Sequence, residues 1–303
     1  MAETQIQQEV SRSGAEPAPG WRPALVALDI DGTLLAWVDG QDVPYETIRQ
    51  PVYDAVHRAR DAGAHIVLAS GRSPHGMTTI ADLLNLPLEG SPEDPTPDVD
   101  DRLWVVASNG SVIFRYPPQE VVHEEVFDAA PAVRAILEHH PDALVAAEER
   151  SLGGYLVNRP FPPGELNGEQ VITPVEEIVG KPVNRVVVRD PESTAEDFLD
   201  TAAKLGLHGT DYVVGWSAWM DFAPAGVSKA SGLQHVCDAL GVDPVDVLAI
   251  GDGRNDLEML AWAGRGVAMG QAIEEVRAAA DAVTATVNDD GVAVELNRWF
   301  GRD

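Results

Sequence analysis

Four short apolar runs punctuate the chain, and each breaks off into small or polar residues. They are 24–28 (Ala-Leu-Val-Ala-Leu), 65–69 (His-Ile-Val-Leu-Ala), 104–107 (Trp-Val-Val-Ala) and 247–250 (Val-Leu-Ala-Ile). Unbroken runs of this length predict strands covered on both faces, as in a parallel sheet. Between them the period lengthens. The stretch 47–62 carries Ile48, Val52, Ala55, Val56 and Ala59, a helical spacing that stops at Gly63. Stretches 231–240, which stops at Gly241, 255–263 and 273–280 are read the same way. Strand–helix alternation predicts right-handed crossovers and a doubly wound, Rossmann-like α/β core.

The rhythm breaks between 115 and 219. This stretch has its own helices, 131–139 and 194–205, and its own alternating strand, 183–189 (Val-Asn-Arg-Val-Val-Val-Arg). Alternation implies a sheet with helices on one side only. The expected organisation is therefore a tail over 1–22, a core over 23–114 and 220–303, and an inserted α+β domain over 115–219. The Pro- and Asp-rich stretch 89–101 precedes a strand, which puts it at the non-catalytic edge of the sheet as a loop without chemistry.

The residues just beyond the four strands turn the picture from fold to function. Asp29 and Asp31 come after the first, Ser70, Gly71 and Arg72 after the second, Ser108, Asn109 and Gly110 after the third, and Gly251, Asp252, Gly253, Arg254, Asn255 and Asp256 after the fourth. Ligands of open α/β sheets bind beyond the carboxyl ends of the strands, so four polar clusters at four strand ends converge on one crevice. Each cluster alone has a plainer reading. Asp29 and Asp31 could cap a turn, Ser70 could cap a helix, and Lys229 could be a surface lysine at a helix start.

Charge bears on both readings. The 303 residues carry a formal charge of −28, which repels phosphate backbones and argues against nucleic acid as substrate or partner. A small phosphate ester would be repelled too unless the site holds its own cations. The chain has three lysines, Lys181, Lys204 and Lys229, so one inside a motif carries weight. No apolar run nears the roughly 20 residues that cross a bilayer, and no membrane partner is expected. The residues before Gly20 lack a secretory apolar segment. Cys237 is the single cysteine, so no internal disulfide can form and a cytoplasmic setting is expected. The eight histidines lie outside every motif and are read as structural or solvated.

In order along the chain, Asp29-Ile30-Asp31-Gly32-Thr33, Ser70-Gly71-Arg72, Lys229 and the run 251–256 resemble the haloacid-dehalogenase superfamily, and within it the Cof-type phosphatases. Softer matches are Ser108-Asn109-Gly110 and the run 266–270 (Gly-Val-Ala-Met-Gly). The resemblance covers 23–303. Gly253 and Gln271 stand where many relatives have asparagine.

The resemblance implies a role for each of these groups. Asp29 attacks phosphorus and becomes an aspartyl-phosphate, and Asp31 acts as general acid and then base. Magnesium is held by Asp29, the backbone carbonyl of Asp31 and Asp252, with Asp256 a ligand through water or a supporting partner. Ser70, Gly71, Arg72, Lys229 and Asn255 hold the phosphate or the substrate. The insert, lying between Ser70 and Lys229, is a C2-type cap that selects small phosphorylated metabolites, often sugar phosphates. Arg150, Arg159, Arg185 and Arg189 are its candidate substrate contacts, and Trp216 and Trp219 sit at its return to the core. A monomer or homodimer is expected. Two rivals stand beside this reading, a phosphomutase of the same superfamily and a non-enzymatic phospho-aspartate signalling domain. The second carboxylate at Asp31 and the long insert argue against the latter.

Overall fold

A computed structural model of the chain describes residues 17–36, 47–86, 102–149, 154–166, 168–205, 210–214 and 219–301. The loop expected over 89–101, Arg150 and Trp216 lie outside the described residues.

The four expected strands are β1 (Leu25–Leu28), β2 (His65–Ala69), β3 (Leu103–Ala107) and β12 (Val247–Gly251), and they pair in parallel in the spatial order β12, β1, β2, β3. Two further parallel strands, β13 (Arg265–Ala268) and β14 (Ala282–Val283), extend the β12 edge. An antiparallel hairpin, β4 (Val112–Tyr116) and β5 (Glu120–Glu124), extends the β3 edge and completes eight strands.

The unbroken apolar runs are explained by burial on both faces. Val26 and Leu28 of β1 pack with helices α1 (Gln50–Asp61), α2 (Pro74–Leu83) and α9 (Gly291–Phe300). Leu25 and Ala27 pack on the other face with α6 (Lys229–Leu240), α7 (Leu257–Trp262) and α8 (Glu274–Ala279). The period-3.6 stripe of α1 is the buried one, Val52, Ala55, Val56 and Ala59. Helix α6 starts at a reciprocal Ser228–Ser231 capping box and ends on Gly241 in the left-handed conformation.

The second sheet holds six strands in the order β10 (Thr210–Val214), β11 (Trp219–Pro224), β9 (Val186–Arg189), β6 (Leu144–Glu149), β7 (Gly154–Val157) and β8 (Gln170–Ile172). All neighbours run antiparallel except β7 and β8. Helices α3 (Ala130–His139) and α5 (Ala195–Leu205) cover one face, where Val133, Ile136 and Phe198 meet Val186, Val188 and Phe222. This is the α+β insert on a doubly wound core.

Strand pairing bears on its limits. The hairpin through Glu124 belongs to the larger sheet and Trp219–Pro224 to the smaller, so we take the insert as 125–224, against the expected 115–219. The β4–β5 hairpin, most of which the expected limits assign to the insert, pairs with the larger sheet at an edge of the core. At the N-terminus, Trp21 packs edge-on against Trp299 and donates to the Val245 carbonyl at 3.1 Å. Arg22 lies over the Phe300 ring. The core therefore takes in residues ahead of 23. Among the described residues no helix is long and apolar enough to cross a membrane.

Candidate active site

The carboxyl ends of β1 and β12 are adjacent, and their backbones are drawn tightly together. The Asp29 amide donates to the Ile250 carbonyl at 3.0 Å, and the Ile30 carbonyl collects the amides of Thr33, Leu34 and Leu35 in a turn. Gly32 sits in that turn at φ 85°, where a β-carbon would lie 2.2 Å from Asp252 Oδ2. Only glycine meets both requirements. Asp29 and Asp252 are thus brought together as buried carboxylates, 4% and 5% exposed.

Lys229, the first residue of α6, is 1% exposed. Its Nζ donates to Asp29 Oδ1 and to Asp256 Oδ1, each at 2.6 Å. The second oxygen of Asp256, Oδ2, accepts the Asp252 and Gly253 amides, both at 2.9 Å. Gly251 makes room for that carboxylate, since a β-carbon there would lie 2.4 Å from Asp256 Cγ.

Three carboxylates around one ammonium leave an excess of negative charge. Burial, then the charge of Asp256, pushes the Asp29 carboxyl up to about 7 even though Lys229 pulls it down. Burial, Asp29 and Asp256 push Asp252 well above the ordinary range. Burial alone would lower the Lys229 ammonium, but Asp256 and Asp29 outweigh it and raise it. Among the described residues Asp29, Asp252 and Asp256 form the one group of carboxylates able to hold an ion, with ligand oxygens within 4.8 Å of one another. A hard divalent cation fits this donor set, because all donors are oxygens and the surplus charge needs a partner.

At the end of β2, Ser70 is 2% exposed and its Oγ accepts the Arg72 amide at 3.2 Å. It does not cap a helix. Ser73 does, accepting the Gly76 amide at the start of α2. The Arg72 side chain crosses to β1, with Nε 2.8 Å from Asp31 Oδ2 and Nη2 2.5 Å from Oδ1.

The end of β3 forms a left-handed turn, with φ of 52° at Ser108, 54° at Asn109 and 104° at Gly110. Its backbone is tied to the β2 loop by Ser108 N to Arg72 O, 2.8 Å, and Asn109 N to Ser70 O, 3.0 Å. Asn255 does not stand alone in the crevice, because its Nδ2 donates to Asn109 Oδ1 at 3.0 Å. A β-carbon on Gly71 would lie 3.1 Å from the same Oδ1.

Sequence reasoning passed over several groups. Gln271, noted only as a departure from the family pattern, donates to the Gly32 carbonyl at 2.6 Å and to Asp252 Oδ2 at 3.4 Å. The insert reaches the core through Glu148 and Asp221. Ser108 Oγ donates to Glu148 Oε2 at 2.5 Å and Asn109 Nδ2 to Asp221 Oδ2 at 3.0 Å. Arg185, expected as a candidate substrate contact, is instead buried between these two acids. Its Nε and Nη2 reach Asp221 at 2.6 and 2.8 Å, and its Nη1 reaches Glu148 at 3.2 Å. Alternation places Glu148, Arg185 and Asp221 on the face of the small sheet away from α3 and α5. A charged residue among apolar neighbours at that position was the available signal. Arg159 and Arg189 are engaged with Asp142 and Glu165. Trp219 packs edge-on to Phe161 within the insert. Among the histidines, His140 is buried against Asp190 and Thr201 in the insert, apart from these clusters.

Comparison with known proteins agrees with this geometry. The family model for haloacid dehalogenase-like hydrolases matches residues 26–296. The chain belongs to that family, and it is a phosphatase of the Cof type with a C2-type cap. It is 31% identical over 275 residues to the phosphoglycolate phosphatase of Natronomonas pharaonis, covering 91% of this chain and 97% of that one. It is 26% identical over 293 residues to the 5-amino-6-(5-phospho-D-ribitylamino)uracil phosphatase YitU of Bacillus subtilis, covering 92% and 98%. Among solved structures it is similar to BT1666 of Bacteroides thetaiotaomicron, with a TM-score of 0.70, 28% identity, and 95% and 98% of the two chains covered.

Proposed function

We propose that the chain is a magnesium-dependent phosphomonoesterase of the cytoplasm. It hydrolyses small phosphorylated metabolites, sugar phosphates foremost, through an aspartyl-phosphate on Asp29. The observation that carries this reading is the buried Lys229 ammonium, 2.6 Å from both Asp29 and Asp256, beside the Asp252 carboxylate at the ends of two parallel strands. Phosphoryl transfer needs alignment and neutralisation of charge on the equatorial oxygens, and this is a place where both are supplied.

Asp29 and Asp252 would hold magnesium with the Asp31 carbonyl, and the ion would neutralise phosphate charge on its side. Asp256 has both oxygens engaged, so it braces Lys229 and the 252–253 backbone and would reach the ion through water. Lys229 neutralises the opposite side. The Ser70 hydroxyl and the amides after it hold phosphate oxygens.

Asp29 attacks phosphorus, a bond forms between its oxygen and phosphorus, and the bond from phosphorus to the leaving oxygen breaks. Asp31 gives its proton to that oxygen, and Arg72 keeps the carboxyl aimed. In the second step Asp31 takes a proton from water, which attacks phosphorus and releases inorganic phosphate and the Asp29 carboxylate.

The cap supports a small substrate, since a roofed site disfavours proteins. The substrates named for the two relatives are small phosphate monoesters of unlike shape, which leaves the leaving group to be fixed by experiment. A panel of phosphorylated metabolites with phosphate release as readout, run with magnesium and again after chelation, tests the proposal. Turnover of sugar phosphates that stops on chelation is expected. Full activity after exhaustive metal removal would sink the metal assignment.

A further inference from the structure

The turn at 108–110 joins the 70–72 loop, Asn255 and the start of the helix that carries Lys229. It is tied by backbone to Ser70 and Arg72, and its Asn109 amide lies against Gly71 and accepts from Asn255. Gly110 passes so close to the start of α6 that a β-carbon there would lie 2.1 Å from the Ser228 carbonyl, one residue before Lys229. The same turn is where the insert lands, through Glu148 on Ser108 and Asp221 on Asn109. Three successive residues with positive φ are unusual for a run in which two have side chains. The conformation aims Ser108 and Asn109 at the cap while their backbone stays bonded to the β2 loop.

We propose that Asn109 is a positioning residue that couples the seating of the cap to the geometry of the phosphate loop. Its amide is read in both directions. Nδ2 registers Asp221, which Arg185 holds by two hydrogen bonds, and Oδ1 fixes Asn255 across the mouth of the loop at 70–72. When Asp221 is in place the amide cannot rotate without losing both partners, and Asn255 and Gly71 are held with it. Glu148, Arg185 and Asp221 are therefore the cap's seat, and Arg185 fixes the acids rather than the substrate. This rests on the reading of Ser70 and the amides after it as the phosphate loop.

The test is a reversal of polarity in the full chain, assayed with p-nitrophenyl phosphate and magnesium. Asn109→Asp keeps the acceptor for Asn255 but sets a carboxylate against Asp221. It should lower kcat on the order of tenfold or more, with a smaller change in KM, as expected for misplacement of reacting groups. Adding Asp221→Asn removes the repulsion and should recover part of the loss, short of the whole because Asp221 Oδ2 also accepts from Arg185 Nη2. Parent-level kcat in Asn109→Asp, or no recovery in the double variant, would overturn the coupling. If the carboxylate variant does not fold, Asn109→Gly suits the left-handed backbone and makes the same test. Asp221→Asn should then cost kcat in the parent and nothing further in Asn109→Gly, whereas an equal cost in both overturns the idea. Ser70→Ala, run alongside, separates the two layers. Unimpaired turnover there would sink the phosphate loop itself, and impaired turnover with no rescue in the reversal would sink the coupling alone.

Discussion

Arg72 grips Asp31 with two arms of one guanidinium, at 2.8 and 2.5 Å, from the end of one strand to the end of the next. A planar fork sets both the position and the rotation of the carboxyl plane, which a point charge does not. If Asp31 is the proton donor, its aim matters most for a leaving group that departs poorly without a proton. Arg72→Lys should therefore lower kcat by about 10- to 100-fold on alkyl and sugar phosphates, and less on p-nitrophenyl phosphate. Paired kcat values on the two ester classes check this. Equal losses would place Arg72 on the phosphate and not on Asp31.

The Lys229 ammonium is the second test of the site's electrostatics. Lys229→Met removes the cation between Asp29 and Asp256 and leaves both carboxylates buried. Breaking a buried pair from one side costs roughly 3–5 kcal/mol, so the urea midpoint should fall, and magnesium should return part of the loss by binding the folded state. Activity should vanish whether or not magnesium is present. An unchanged midpoint in chelator would contradict the charge arrangement.

The same burial makes stability depend on pH. In the metal-free protein the Asp29 carboxyl is raised from 3.8 to about 7, so between those values the folded state holds a proton that the unfolded state has lost. Stability in chelator should thus be greatest below the unfolded carboxyl value and decline as pH rises toward about 7. The Asp29→Asn variant should lose part of this decline, and magnesium should bind with release of protons. Urea unfolding in chelator at pH 5 and pH 8 decides the sign, and a parent more stable at the higher pH would reverse the account.

The core and the meeting of its polar clusters were legible because those clusters sit directly behind buried strands. Asp29, Ser70 and Asp252 come after runs that have nowhere to go but the sheet's interior, so their strand ends had to meet. What the sequence hid is pairing between side chains. Arg72 lies 41 residues from Asp31, and nothing in either motif says that one holds the other. Glu148, Arg185 and Asp221 come from three separate stretches of the insert with no shared spacing, and only the fold makes them one cluster. The β4–β5 hairpin was hidden for a different reason, since it adds antiparallel strands to an otherwise parallel sheet and so breaks the strand–helix rhythm before the insert begins.

If Asp29 carries the phosphoryl group, the adduct can be trapped on it. Asp31→Asn should slow the hydrolysis of the intermediate, by about 10²- to 10⁴-fold for a lost general base, so that phosphate accumulates on the protein. Rapid acid quench with p-nitrophenyl phosphate and magnesium, then peptide mapping, is predicted to find acid-stable, hydroxylamine-sensitive phosphate on Asp29 in Asp31→Asn. None should form in Asp29→Asn. Phosphate on another residue, or none on Asp31→Asn while its turnover continues, would contradict the account.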